Sequence, residues 1–163
     1  MWHPWGLPVD KAEVFRLVFQ ALEEELRVQL KGQAMAAEGA THAEARAETK
    51  WDTCGLEQSY LARGLAQQFE KLATQVEELR GFSPPDYSGK PIGIGALVEA
   101  EMDGYTDWYF LLECGGGTEV EYGGRTITVI SPESPAGAAL LGKTEGGAYS
   151  FREGMVGEIL SVR

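Results

Sequence analysis

The chain has 163 residues, enough for one ordinary domain or two small ones, and its 44% hydrophobic share is that of a globular protein. Its 25 acidic residues against 14 basic ones give a net charge of −11, and no run of Lys and Arg offers phosphates a basic surface, so direct nucleic-acid binding is disfavoured. No apolar run approaches the roughly 20 residues that span a bilayer, and Met1-Trp2-His3-Pro4-Trp5 lacks the layout of a signal peptide, so a cytoplasmic protein with no membrane partner is expected.

Asp10, behind Pro8, suits the cap of a first helix, and Glu13 three residues later completes a capping-box pattern. An apolar stripe follows through Val14, Val18, Leu22, Leu26 and Leu30, widened by Phe15, Leu17 and Phe19. Helical composition continues through Ala43 to Glu48, with Gly39 either a tolerated residue or a break. A second helix carries Ala62, Leu65, Phe69, Leu72, Val76 and Leu79 at alternating three- and four-residue spacings, a heptad seam that needs a partner stripe. The first helix supplies one, so residues 1–82 read as an antiparallel hairpin with its tip near 49–56. The stretch from Leu56 to Arg80 makes an arm of roughly 37 Å. The alternative is that both helices pack flat on the rest of the protein.

Pro84-Pro85 cannot continue a helix, so Ser83 to Lys90 reads as a linker before a domain at 91–163. There the pattern becomes that of an antiparallel sheet, with strands at Gly95 to Met102, Asp107 to Glu113, Thr118 to Tyr122 and Arg125 to Ile130, and a Gly123-Gly124 hairpin turn. Ser134 to Leu141 reads as a short helix capped by Ser134, with Leu140 and Leu141 in the core, ended by Gly142. Ala148 to Arg152 and Val156 to Val162 close the sheet. The fold class is therefore α+β: an N-terminal helical hairpin, then a small sheet of five or six strands with one short helix.

Little in the chain suggests a self-contained enzyme. Cys54 and Cys114 form no CxxC pair and read as two separate thiols, and His3 and His42 have no metal-ligand spacing around them. Gly115-Gly116-Gly117-Thr118 lacks the lysine and helix of a phosphate loop and reads as a turn. The tip is more informative. Asp52 and Glu57, with Glu48 third, are carboxylates at the end of a stiff arm, able to bring negative charge and oxygen ligands for Mg²⁺ into a partner's cavity. They equally suit solvated surface acids, and Asp52 suits a helix cap.

The run Ile127–Lys143 resembles the Gre family of transcription elongation factors, the GreA/GreB transcript cleavage factors, where a strand passes into SPIARGLIGK. Ala43-Glu44-Ala45-Arg46 is similar to that family's AEAR, Glu57 to Ala62 to its ENAEYHAA, and the order of elements agrees over nearly the whole chain. The resemblance implies a coiled coil followed by an FKBP-like domain, docking on RNA polymerase, and entry of the coil into the secondary channel. It also implies an accessory role for the tip acids Asp52 and Glu57, holding a second Mg²⁺ beside the polymerase's own to cut backtracked RNA. By the same analogy docking falls to Ser131 to Lys143, with Ser131, Pro132 and Lys143 as partner-binding residues, though Ser131 and Pro132 also suit a turn. The cleavage factors carry Asp followed three residues later by Glu. Here Asp52 is followed at that spacing by Gly55, and the next acid is Glu57. Aligning Tyr60 with the family tyrosine puts Thr53 and Leu56 at the acidic positions, each one residue, or about 100° of helix, from an acid. That departure sets cleavage stimulation against polymerase modulation without cleavage. A module for some other protein partner and a stand-alone enzyme, either a prolyl isomerase or a thiol hydrolase using Cys54 with His42, complete the alternatives, although an FKBP-like shape alone implies no isomerase.

Overall fold

The computed structural model describes residues 8–46 and 54–163, with side-chain surroundings for 8–39, 56–57 and 59–163. Two long helices, α1 (Lys11–Arg46) and α2 (Cys54–Arg80), come first. They are followed by β1 (Leu97–Met102), β2 (Tyr105–Leu111), β3 (Glu119–Tyr122), β4 (Arg125–Ile130), α3 (Pro135–Leu140), β5 (Ala148–Arg152) and β6 (Met155–Val162). The fold is α+β, a helical hairpin followed by a mostly antiparallel six-stranded sheet with one short helix. Two compact units are present: the described residues up to Ala21 together with Phe82–Arg163, and Leu22–Gly81. The first turns of α1 thus belong with the sheet, which the change of composition near Gly81 does not reveal.

In the helical unit, Arg80 at the end of α2 reaches Glu23 of α1 at 3.4 Å. Leu22 of α1 and Leu72, Val76 and Leu79 of the α2 seam are buried, while Ala62, Leu65 and Phe69 of the same seam are half-buried. Farther along α1 the stripe departs from expectation. Each four-residue step advances the stripe about 40° around the helix, and Leu30, expected inside, is 51% exposed. The inward line steps by three after Leu26, to Gln29 and then Gln33. Gly39 lies inside the unbroken helix.

In the sheet unit, Asp10 caps α1 through Oδ1, which accepts from the backbone N–H groups of Ala12 at 3.0 Å and Glu13 at 3.3 Å. Glu13 does not complete the capping box and pairs instead with Arg16 one turn on, at 2.5 Å. The sheet order is β3-β4-β2-β1-β6-β5. All neighbours are antiparallel except β2 and β4, which run parallel, from Trp108 beside Ile127 to Leu111 beside Ile130. The antiparallel pattern expected of the sheet thus holds at four of the five pairings and not at β2–β4. The β3–β4 hairpin turns at Gly123 (φ 57°) and Gly124 (φ 76°), and β3 takes the outer edge, so β4 arrives beside β2 in the same direction. A second such turn, at Asp103 (φ 55°) and Gly104 (φ 78°), starts β2 at Tyr105, two residues earlier than its pattern suggests.

One sheet face builds a core from Val98, Ala100, Met102, Leu111, Ile130, Ile159 and Val162, with Leu140 of α3 joining it. Phe110 points to the opposite face by strand alternation, is fully buried, and lies 6.1 Å from the ring of Phe15 on α1. The sheet is therefore covered on one side by α3 and on the other by the first turns of α1.

The segment read as a linker is bound into this unit. The Tyr87 hydroxyl donates to the Ile94 carbonyl at 2.8 Å, and Phe82 meets Phe15 edge to face at 5.9 Å. Lys11 Nζ donates to the carbonyls of Pro85 and Arg163 and stands 5.1 Å from the Tyr87 ring centre. Burial lowers the pKa of this ammonium from its ordinary 10.5 to about 8, with Asp86 pulling the other way. Between those two values the unfolded chain binds more protons at this site than the folded one, so the group's contribution to stability rises with pH across that window. Denaturant titrations from pH 8 to 10 should show a positive stability slope that flattens in Lys11→Met.

Candidate functional site

Glu57 lies in the first turn of α2, exposed to solvent, where a carboxylate is favoured by the helix dipole. Asp52, Glu48 and most of the expected tip at 49–56 lie outside the described residues, so the separation of the two acids is not part of this geometry. Among the described residues no three His, Cys, Asp or Glu side chains gather to hold a metal. A single exposed carboxylate still matches the habit of Mg²⁺, which takes one or two protein carboxylates and fills its remaining positions with water or phosphate. Around Glu57 the first turns of α2 also expose Leu56, Tyr60 and Leu61, at 56%, 63% and 57%. Sequence reasoning passed over this apolar collar, although all three residues are off the heptad seam and that displacement was the available signal.

The segment from Ser131 to Lys143 is built around one close approach. The Ser131 carbonyl accepts from the Ser134 hydroxyl at 2.7 Å and from the Ser134 N–H at 3.1 Å. The Ser134 hydroxyl oxygen in turn accepts from the Gly137 N–H at 3.1 Å, capping α3. Pro135 fills the first helical position, where a missing N–H costs nothing. A Cβ on Gly137 would stand 1.9 Å from the Ser131 oxygen, so only glycine fits. At the other end Lys143 donates its N–H to Leu140 at 3.0 Å and accepts from the N–H of Ile92 at 2.8 Å, while Gly142 donates to Ile92 at 2.9 Å. Ser131 thus shapes the turn through its carbonyl, and Pro132 is part of that turn. Lys143 is fixed through its backbone and leaves its ammonium exposed. Leu140 is core as expected, whereas Leu141 is 44% exposed. The reason is local: α3 ends at Leu140, and Leu141 (φ −53°, ψ 128°) has left the helix, turning its side chain outward beside Lys143.

No family model and no curated protein matches this sequence. The chain is similar to solved Gre-factor homologues. The crystal structure of GreA factor homolog 1 (Gfh1) of Thermus thermophilus aligns over 89% of this chain and 94% of that one, at 19% identity and a TM-score of 0.38. A structure of the transcription factor Gfh1 aligns over 90% and 94%, at 21% identity and a TM-score of 0.38. Thermus aquaticus Gfh1 aligns over 91% and 95%, at 18% identity and a TM-score of 0.37. At these identities and scores nothing about partner or activity passes from those proteins to this one.

Several further polar groups are enclosed in the sheet unit that the sequence did not single out. Glu99 is 7% exposed and its carboxylate accepts from the Ser161 hydroxyl across the β1–β6 pairing, at 3.1 Å. Tyr109 donates to the Asp107 carboxylate at 3.2 Å, and burial together with that charge pushes its phenol well above the ordinary range. Tyr149 lies across Gly157, where a Cβ would stand 2.4 Å from its ring. These residues alternate with apolar neighbours as ordinary strand residues do, and nothing in their spacing marks them. Among the described residues no helix is long and apolar enough to cross a membrane.

Proposed function

We propose that this chain is a Gre-type accessory factor that binds RNA polymerase, with the helical hairpin entering the secondary channel and the sheet unit docking through the Ser131–Lys143 segment. The observation that carries this reading is the run Ile127–Lys143. It resembles the family's most distinctive stretch, and here it folds as one strand, a glycine-dependent turn and a capped helix that leaves Leu141 and Lys143 outward. The element order supports it, with a helical hairpin ahead of a sheet bearing one short helix. The protein is not itself an enzyme in this reading. It acts in the cytoplasm, needs no direct nucleic-acid contact at a net charge of −11, and has no intrinsic cofactor. Mg²⁺ shared with the polymerase would be held from this side by Asp52 and Glu57 and would supply an activated water. The factor's own part is to place those carboxylates and fill the channel around them.

The displaced acid pair favours modulation of the polymerase without stimulation of cleavage. Asp52 is followed by Gly55 where the cleavage factors carry an acid, and Glu57 comes two residues later. Co-purification with core RNA polymerase separates this reading from a module for some other partner. Adding the protein to stalled elongation complexes separates modulator from cleavage factor: altered pausing with no shortened transcripts is expected, and transcripts shortened from the 3′ end would reverse the assignment. Asp52→Ala and Glu57→Ala are expected to leave polymerase affinity within about twofold, because most contact residues outside a buried hot spot are energetically near neutral, while changing the effect on paused complexes. Loss of binding in both would make the tip a docking surface.

A further inference from the structure

Among the described residues, the helical unit exposes Val28 (59%), Leu30 (51%) and Met35 (72%) on α1, while the same helix turns two glutamines inward. The side-chain oxygens of Gln29 and Gln33 are buried and accept no hydrogen bond. Gln29 uses only its other end, Nε2 donating to Glu25 at 3.2 Å. Exchanging oxygen and nitrogen in either carboxamide leaves a polar atom in the same enclosed place, so the mismatch belongs to the position and not to the assignment of the amide. A buried polar atom without a partner is costly, and a large apolar side chain left in water forgoes its burial. Both faults occur in one stretch of helix, one or two residues apart.

The spacing shows how they are linked. The inward line of α1 runs Leu22, Leu26, Gln29, Gln33, Ala36. Turning the helix by one residue, about 100°, presents Val28, Gly32, Met35 and Gly39 along that line. Two aliphatic side chains replace two amides, and both amides reach water. Gly32 is consistent with this exchange. A Cβ there would meet nothing within 4 Å, so the present packing gives no reason for a residue that weakens a helix interior. In the turned register it would face α2 and admit it closely. On α2, Leu65 and Phe69 are only half-buried, whereas Leu72, Val76 and Leu79 nearer the Arg80 end are buried. The α2 stripe is therefore unsaturated along the same stretch.

We infer that the hairpin beyond Leu26 has two registers: the one described, and a second in which Val28 and Met35 pack against α2 while Gln29 and Gln33 face solvent. Leu22, fully buried, anchors the helix in both. Leu22 to Val28 then completes two turns in six residues where Leu22 to Gln29 uses seven, which a short 3₁₀ stretch at about 3.0 residues per turn supplies. The described register keeps the hydrogen-bond ladder regular, and the second improves the seam, so neither dominates by packing alone. The device stands apart from the polymerase reading, since it concerns only the two helices.

Methyl-labelled methionine NMR on the full chain tests it, because Met35 reports on the hairpin while Met102 and Met155 report on the sheet. Register shifts of helices fall in the microsecond-to-millisecond range. Relaxation dispersion at Met35, and not at Met102 or Met155, is the expected result. Gln29→Leu/Gln33→Leu favours the described register and should flatten that dispersion. Val28→Gln, at a position now exposed, should flatten it by disfavouring the other register. A Met35 methyl without dispersion in the native chain, or dispersion that persists in either variant, would overturn the inference.

Discussion

Replacing Phe110 by alanine is expected to lower the stability of the sheet unit by about 4 kcal/mol, the ordinary cost of removing a fully enclosed phenyl ring from a core that cannot collapse around the gap. Phe110 is 0% exposed, on a central strand with β4 on one side and β1 on the other. Its ring reaches Phe15, which in turn meets Phe82. The cavity would therefore open where α1, the sheet and the start of the 82–90 segment meet. Relief by inward movement of Phe15 is opposed by the neighbouring ties of α1. These are the Lys11 ammonium on Pro85 and Arg163, and Arg163 Nη1 donating to the Val9 carbonyl at 3.3 Å. Urea unfolding followed through the near-ultraviolet signal of Trp108, which pairs with Glu99 and Ile127 on flanking strands, reads this unit. The contrasting substitution is Tyr105→Ala in the same strand. Tyr105 is 74% exposed, and its loss should change stability by no more than about 0.5 kcal/mol. Equal effects from the two would mean that the α1-facing side of the sheet is not a packed core.

Where the sequence was legible, short-range rules were sufficient. The Asp10 and Ser134 caps, the Gly123-Gly124 turn and the Leu72 to Leu79 part of the α2 heptad line each depend on residues within one or two turns of one another, and each is present. The misreadings have a different origin. That β4 would lie parallel to β2 depends on which edge β3 takes, a choice made between strands and not within one. Counting fours puts Leu30 inside, but the drift of about 40° per step carries such a line off the seam within a few turns. Extending α3 by one residue puts Leu141 in the core, and a single residue of helix decides which way a side chain faces. The 83–90 segment has linker composition, yet Tyr87, Phe82 and Lys11 bind it to the sheet, through contacts far apart in sequence that composition does not carry. Within the Ser131–Lys143 segment the Ser134 cap and the Gly142 stop were readable because each has a fixed local task, whereas the need for glycine at 137 arises from its approach to the Ser131 carbonyl. The tip acids were readable as residue types, but their mutual placement involves Asp52, which lies outside the described residues.

Gly137→Ala is expected to destabilise the sheet unit by about 3 kcal/mol, at the upper end of overpacking penalties, because the new methyl meets backbone and not a side chain that can turn away. The atom in its path is the Ser131 carbonyl oxygen, 1.9 Å from the added Cβ, and the Ser134 hydroxyl is 3.0 Å away. Both belong to the capping network, so the strain falls on the hydrogen bonds that hold the turn: Ser134 to Ser131, and Gly137 to Ser134. Shifting α3 to make room would draw Leu140 from the core and disturb the pairing of Ile92 with Gly142 and Lys143. Thermal unfolding should therefore fall steeply, and polymerase binding, if it runs through this segment, should fall with it. Lys143→Ala separates the two effects. Its ammonium is exposed, and its structural bonds are made by the backbone, so the melting temperature should hold while affinity for the polymerase drops. Leu141→Ala, removing a side chain that is 44% exposed, should act in the same way. If Gly137→Ala abolishes binding while Lys143→Ala and Leu141→Ala together leave it intact, the segment serves the fold alone, and the docking surface must be sought elsewhere on the chain.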